Sequence, residues 1–190
     1  WAATVFYAYK SINHEKVSDL ILLGIFMSLG FLTKYLFIYL IVVIKIFFVL
    51  QLIQNKNFNM KIFIPGIIFL LFLIPHFIWL FQNDFTTIVY AFNRTGIEEN
   101  NFLNHIYNPF IFLIKQLVIL LPVVIMLVAI LKIKKINFNN FKKDKYFLLF
   151  INIFPIVLIF FTSVVSGAKI RTMWMTPFYL FTGVLLVQIL

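Results

Sequence analysis

The chain has no cysteine, only six acidic residues among 190, and charged residues of either sign make up just 12% of it. Without thiols there is no disulfide, thiolate nucleophile, zinc–thiolate site or iron–sulfur cluster. So little charge does not fit an ordinary water-soluble enzyme. Also missing are a Gly-rich phosphate loop, a nucleophile elbow and an HExxH pair, which removes the common ATP-driven, hydrolase and zinc-protease readings. His14, His76 and His105 are scattered, so the sequence offers no metal-ligand set and no cofactor site. No signal-peptide pattern, internal repeat or low-complexity segment is visible.

What is present is apolar. Hydrophobic residues make up 63% of the chain and aromatic residues 19%. Disorder is excluded, because a chain stays unfolded when it has too little apolar surface to offset its entropy, and here there is a surplus. The composition is that of an integral membrane protein. About 20 mostly apolar residues cross the hydrocarbon as a helix, and six segments are predicted, at about 19–34, 35–53, 62–81, 110–131, 146–165 and 177–190. Their apolar runs are continuous rather than alternating, which points to an all-α transmembrane bundle and away from a barrel. The junction at Lys34 and Tyr35 is tight enough for a short hairpin, a broken helix, or one span plus a re-entrant piece. Lys45 would then stand near mid-span, so that either it faces the bundle interior or the boundary is misplaced, the second being the simpler reading. Trp1 is not Met and Leu190 lies inside an apolar run, so residues 1–190 read as part of one transmembrane domain of a longer protein.

Orientation follows from basic residues in short loops. The connection 132–145 holds Lys132, Lys134, Lys135, Lys142, Lys143 and Lys145 against Asp144, and is predicted to be cytoplasmic; Lys56 and Lys61 agree. The loop 82–109, with Asp84, Arg94, Glu98 and Glu99, then faces outward. Residues 166–175 fall outside as well, carrying Lys169 and Arg171 against the positive-inside bias. Inner-leaflet contact accounts for most of the net charge of +10, and no interleaved aromatic–basic surface suggests a nucleic-acid partner.

Three stretches can carry chemistry. In GIFMSLGFLTKY (24–35), two small glycines permit close helix packing, and Lys34 stands at the outer interface, where a lone lysine commonly snorkels to the headgroups. In IPHFIWLFQNDFTT (74–87), a proline opens the helix beside His76, which can bond a phosphate, a sugar hydroxyl or merely a neighbouring helix. Trp79 fits an interfacial aromatic belt, and Asn83 with Asp84 fits a cap of the next short helix. In SGAKIRTMWMTPFY (166–179), a compact ammonium and a guanidinium fork suit a phosphate or pyrophosphate headgroup, although pairing with Glu98, Glu99 or Asp84 is an open alternative. Arg94 is a third outer cation, on a run TIVYAFNRTG that reads as a short interfacial helix stopped by Gly96.

Together these stretches resemble bacterial members of glycosyltransferase family 39, the protein mannosyltransferase and aminoarabinose transferase superfamily. Residues 30–35 look like that family's Gly-Leu-x-x-Leu-Thr-Lys segment, Pro75, His76, Trp79, Asn83, Asp84 and Phe85 look like its proline–histidine–tryptophan–asparagine stretch, and Ser166, Gly167, Arg171 and Trp174 look like a third. Met173 stands where many relatives have histidine. The resemblance implies a GT-C membrane fold in a bacterial cytoplasmic membrane. Its implied activity moves a sugar from a polyprenyl-phosphate donor to a lipid, glycan or protein acceptor on the outer face, by an inverting displacement. Lys34, Lys169, Arg171 and Arg94 would bind the donor phosphate, and Tyr35, His76, Asn83 and Trp174 would line the pocket. The resemblance puts the catalytic acid in the first external loop, ahead of these residues; Asp84 would be a supporting group, and residues 1–190 alone are expected to be inactive. A transporter or lipid flippase, with Lys45 as its best support, and a noncatalytic lipid-binding subunit are the alternatives.

Overall fold

A computed structural model describes residues 1–14, 16–55, 60–96, 101–131 and 143–189. Among them there are helices and turns and no strand. In order the helices are α1 (Ala2–His14), α2 (Val17–Thr33), α3 (Ile38–Asn55), α4 (Ile64–Gln82), α5 (Thr86–Thr95), α6 (Asn104–Leu131), α7 (Lys143–Ser166) and α8 (Thr182–Ile189), with short 3-10 turns between several of them. Four stretches are long and apolar enough to cross a membrane: Tyr35–Gln54, Met60–Gln82, Asn104–Ala129 and Asp144–Ser166. Two further apolar helices, Val17–Thr33 and Thr176–Gln188, are shorter. The all-α membrane bundle read from the sequence is the fold observed.

Particular elements differ from the prediction. Helix α1 was not foreseen, because it carries Lys10 and His14 and buries small residues, Thr4, Val5, Ala8 and Ser11, that hydropathy does not reveal. Helix α6 begins at Asn104 rather than near 110. Tertiary bonds extend it: His105 Nδ1 lies 2.8 Å from the Val164 carbonyl, and Asn108 Nδ2 donates to the Gly167 carbonyl at 2.6 Å. The last segment is a 3-10 turn, Thr176–Tyr179, followed by α8. Lys45 belongs to the interior of α3, so the boundary suspected there was correct after all. Glu98, Glu99, Lys56, Lys132, Lys134, Lys135 and Lys142 lie outside the described residues, as does most of the basic connection 132–145.

The chain divides into two compact units, Trp1–Ile88 and Val89–Leu190. In the first, α2 packs along α4 and against α1. Apolar side chains gain little from leaving lipid for another helix, so membrane helices associate through close packing and polar contacts. Gly24 provides the packing: a Cβ there would meet the Pro65 carbonyl oxygen at 2.8 Å and Ile68 Cβ at 2.7 Å. Ser28 provides the polar contact, with Oγ donating to the Gly24 carbonyl at 2.8 Å and lying 3.3 Å from the Phe69 carbonyl of α4.

Between α1 and α2, Lys10 Nζ pairs with Asp19 Oδ1 at 2.9 Å. Asp19 sits in the first turn of α2, where the helix dipole favours an acid. The two partners are unequally placed: 39% of the Lys10 side chain is accessible but only 3% of Asp19. Removing the lysine strands a buried carboxylate, whereas removing the acid leaves an ammonium that water or a headgroup can reach. Lys10→Met is therefore expected to cost about 3–5 kcal/mol and Asp19→Asn distinctly less, measured by denaturant unfolding of the reconstituted protein. An equal cost would contradict this asymmetry.

In the second unit α6 packs on α7, and α7 on α8. Tyr179 donates to Gln116 Oε1 at 2.5 Å, and Thr182 to Asn152 Oδ1 at 3.0 Å, tying the 3-10 turn and α8 to the two long helices.

Candidate functional site

The first unit places a cavity of about 440 Å³ where α2 breaks into α3, lined by Leu32, Thr33, Lys34, Tyr35, His76, Trp79 and Thr87. The break is local in origin. Lys34 is extended (φ −161°, ψ 119°), and a 3-10 turn, Tyr35–Phe37, precedes α3. Phe37 is fully buried, and its ring occupies the space a side chain at Gly30 would need. Glycine at 30 thus lets the chain fold its next turn against the helix it has just left. The loose end is satisfied locally: Thr33 Oγ1 donates to the Gly30 carbonyl at 2.7 Å, and the Lys34 N–H is shared between the carbonyls of Gly30 and Phe31. Of the three readings open at this junction, the broken helix is the one observed.

That break turns Tyr35 toward α4. Its hydroxyl lies 2.9 Å from His76 Nε2 and 2.8 Å from Thr87 Oγ1. His76 in turn stacks on Trp79, with ring centroids 6.0 Å apart and planes inclined by 11°. Thr87 gets there because α4 ends in two left-handed residues, Asp84 (φ 49°) and Phe85 (φ 54°), and the Phe85 N–H closes back on the Leu80 carbonyl at 3.0 Å. Neither is glycine, so the turn is strained. The cavity wall thus combines a flat aromatic pair, a three-membered chain of polar groups, and the half-buried Lys34. Burial lowers the pKa of the Lys34 ammonium below that of an ordinary lysine.

The remaining sequence-predicted residues are distributed as follows. Asn83 turns back on its own helix, donating from Nδ2 to the Trp79 carbonyl at 2.8 Å, and so caps α4 instead of lining the cavity. It had been expected to cap the next helix or line the pocket. Asp84 is exposed in the strained turn. Arg94, in the second unit, is held on α5 by Tyr90, whose hydroxyl accepts from its guanidinium and whose ring centroid lies 5.7 Å away. The predicted short helix is α5, and Gly96 (φ 68°) follows its end.

The stretch with Lys169 and Arg171 is a helix cap carried to a second element. Gly167 (φ 67°) ends α7 in the left-handed conformation, its N–H donating to the Ser163 carbonyl at 2.8 Å while Ser163 Oγ donates to the Ala168 carbonyl at 2.7 Å. The Lys169 N–H then donates to the Thr95 carbonyl at 2.9 Å. Lys169 and Arg171 are exposed, and Trp174 closes the following 3-10 turn, Thr172–Trp174. Sequence reasoning missed Thr87, Asn108 and the role of Trp79 in the cavity. Trp79 was visible as an aromatic three residues after His76, but nothing local marked the other two.

Residues 1–79 match the family model described as dolichyl-phosphate-mannose-protein mannosyltransferase. Over those residues the chain is similar to this family. The matched stretch runs from α1 to Trp79 and so contains Lys34, Tyr35, His76 and Trp79 of the cavity wall, while Asn83, Asp84, Phe85, Thr87 and residues 166–174 lie beyond it. The match supports a membrane glycosyltransferase of the GT-C type. Comparison with curated proteins and with solved structures gave no match.

Proposed function

We propose that this family-39-like protein transfers a sugar from a polyprenyl-phosphate donor to a lipid, glycan or protein acceptor on the outer face of a bacterial cytoplasmic membrane. The observation that carries the reading is the cavity in which Lys34, Tyr35 and His76, three residues of the matched family stretch, come together. In the displacement the acceptor oxygen bonds to the anomeric carbon as the carbon–oxygen bond to the donor phosphate breaks, with inversion. The leaving phosphate keeps that electron pair, and a carboxylate takes the acceptor proton. Cations at the phosphate act where charge grows in the transition state, which is where they accelerate the step most.

Lys34 is assigned to the donor phosphate, with Lys169 and Arg171 as further cations and Arg94 as a weaker one, its guanidinium already engaged by Tyr90. Tyr35 and His76 shape the pocket, and Asp84 keeps a supporting role. Lys45, the best support for a transporter, opens on an otherwise apolar groove rather than a polar path, which favours the transferase. In the whole protein Arg171→Ala is expected to reduce transfer from a polyprenyl-phosphate sugar by about 10²-fold with membrane insertion unchanged, assayed with radiolabelled donor in membranes. Normal turnover would remove Arg171 from the donor site.

A further inference from the structure

Lys45 is the eleventh residue of the twenty-residue apolar span Tyr35–Gln54. About 15 Å of helix separates its backbone from either end, and its ammonium, directed toward the start of the next span, still lies beside Gly66, the seventh residue of that span, inside the apolar stretch. Its side chain is exposed, and among the described residues it forms no hydrogen bond or ion pair. In front of it is a groove of about 440 Å³ whose remaining walls are apolar, formed by Phe48, Val49 and Leu52 of α3 and by Ile62, Phe63 and Gly66 at the start of the next span. A Cβ on Gly66 would lie 3.7 Å from Lys45 Nζ, so any bulkier side chain there would crowd the ammonium. A cation at this depth is costly unless an opposite charge or a strong acceptor comes to it.

We infer that Lys45 and this groove form a docking site for a membrane-spanning helix that carries a carboxylate near its middle. Depth selects this occupant. Lipid phosphates lie at the interfaces and acyl chains offer an ammonium nothing, whereas a second helix can present an acid at mid-span while its apolar face fills the groove. A second copy of the described residues does not serve. Their acids are Asp19, already paired with Lys10, Asp84 after α4 and Asp144 at the first residue of the span Asp144–Ser166, and none stands in the interior of a span. Gly66 gives the incoming helix room to approach closely, as small residues do at membrane helix interfaces. The site is separate from the cavity at Lys34 and does not depend on the transferase reading.

The test reconstitutes the protein in liposomes with synthetic Leu-rich transmembrane peptides bearing Asp, Asn or Leu at the centre, and measures association by energy transfer. The Asp peptide is expected to bind at least tenfold more tightly than the Leu peptide. Lys45→Met removes the charge, keeps the stem and eases insertion, and should abolish that preference. Gly66→Leu keeps the charge but fills the groove, and should weaken binding of the Asp peptide. Equal binding of the Asp and Leu peptides to the unaltered protein, or an undiminished preference in Lys45→Met, would overturn the inference. So would Lys45-dependent binding that follows the content of anionic phospholipid in the vesicles and ignores the peptide.

Discussion

Lys34→Met in the whole protein is expected to lower sugar transfer by about 10²–10³-fold, equivalent to about 2.7–4 kcal/mol of transition-state stabilisation. Methionine keeps a flexible stem at the cavity wall and removes only the charge, so the contacts among Tyr35, His76 and Thr87 remain. Lys34→Arg should recover part of the rate, because it restores the charge with a different shape. The pH dependence provides a second signature. Burial disfavours the ammonium, so its pKa is lowered from that of an ordinary lysine. The charge is therefore full on the acid side and is lost as the pH rises through the lowered value. For folding the sign is the same: the cost of burying the charge is present below the folded-state pKa and disappears as the pH approaches the unfolded one. The alkaline limb of the pH–rate profile should thus begin below the ordinary lysine range, and Lys34→Arg should push it upward, since a guanidinium holds its proton. An alkaline limb identical in both proteins would show that another group titrates there.

Gly24→Ile is expected to be the most disruptive single change in the first unit. Even a methyl group would overlap the Pro65 carbonyl and Ile68 Cβ, neither of which is the far end of a flexible side chain, so α2 and α4 would have to move apart. Gly24→Ala should cost about 1–3 kcal/mol by overpacking, with isoleucine worse, and the shift should loosen the Ser28 contact to Phe69 as well. Thermal unfolding in detergent reads the loss. Gly183→Ala is the control, because a Cβ there meets nothing within 4 Å and alanine favours the helix. If both substitutions lowered the melting temperature equally, the close crossing at Gly24 would not be the cause. Since the natural chain has no cysteine, a Ser28→Cys, Phe69→Cys pair reports the same separation without background.

Some of the candidate site could be read along the chain because its signals are local. A lysine at the end of an apolar helix and a proline followed by histidine and tryptophan each stand out within a dozen residues. Asn83 shows the limit of such reading: an amide beside a helix end has equivalent uses in a pocket or a cap, and only the turn through Asp84 and Phe85 directs it to the Trp79 carbonyl. Thr87 shows it from the other side. Nothing in the run around it sets it apart, yet it meets Tyr35 across 52 residues of chain.

By itself the amino-acid sequence determined the solvent, the element type and the approximate spans, because continuous apolar runs in lipid leave the backbone no satisfied conformation except helix. It also marked Gly24 as a place where another helix could approach closely, since it has no side chain to hold one off; that α4 is that helix came from the structure. Tertiary structure alone decided how the junction at Lys34 resolves, because that depended on Phe37 finding the space above Gly30. It likewise decided that Tyr35, His76 and Thr87 share one wall, that α6 reaches back to Asn104, and that Lys45 lies within a span facing an open groove. Each of these outcomes depends on a partner dozens of residues away, and hydropathy, which sums only over neighbours along the chain, contains no term for such a partner.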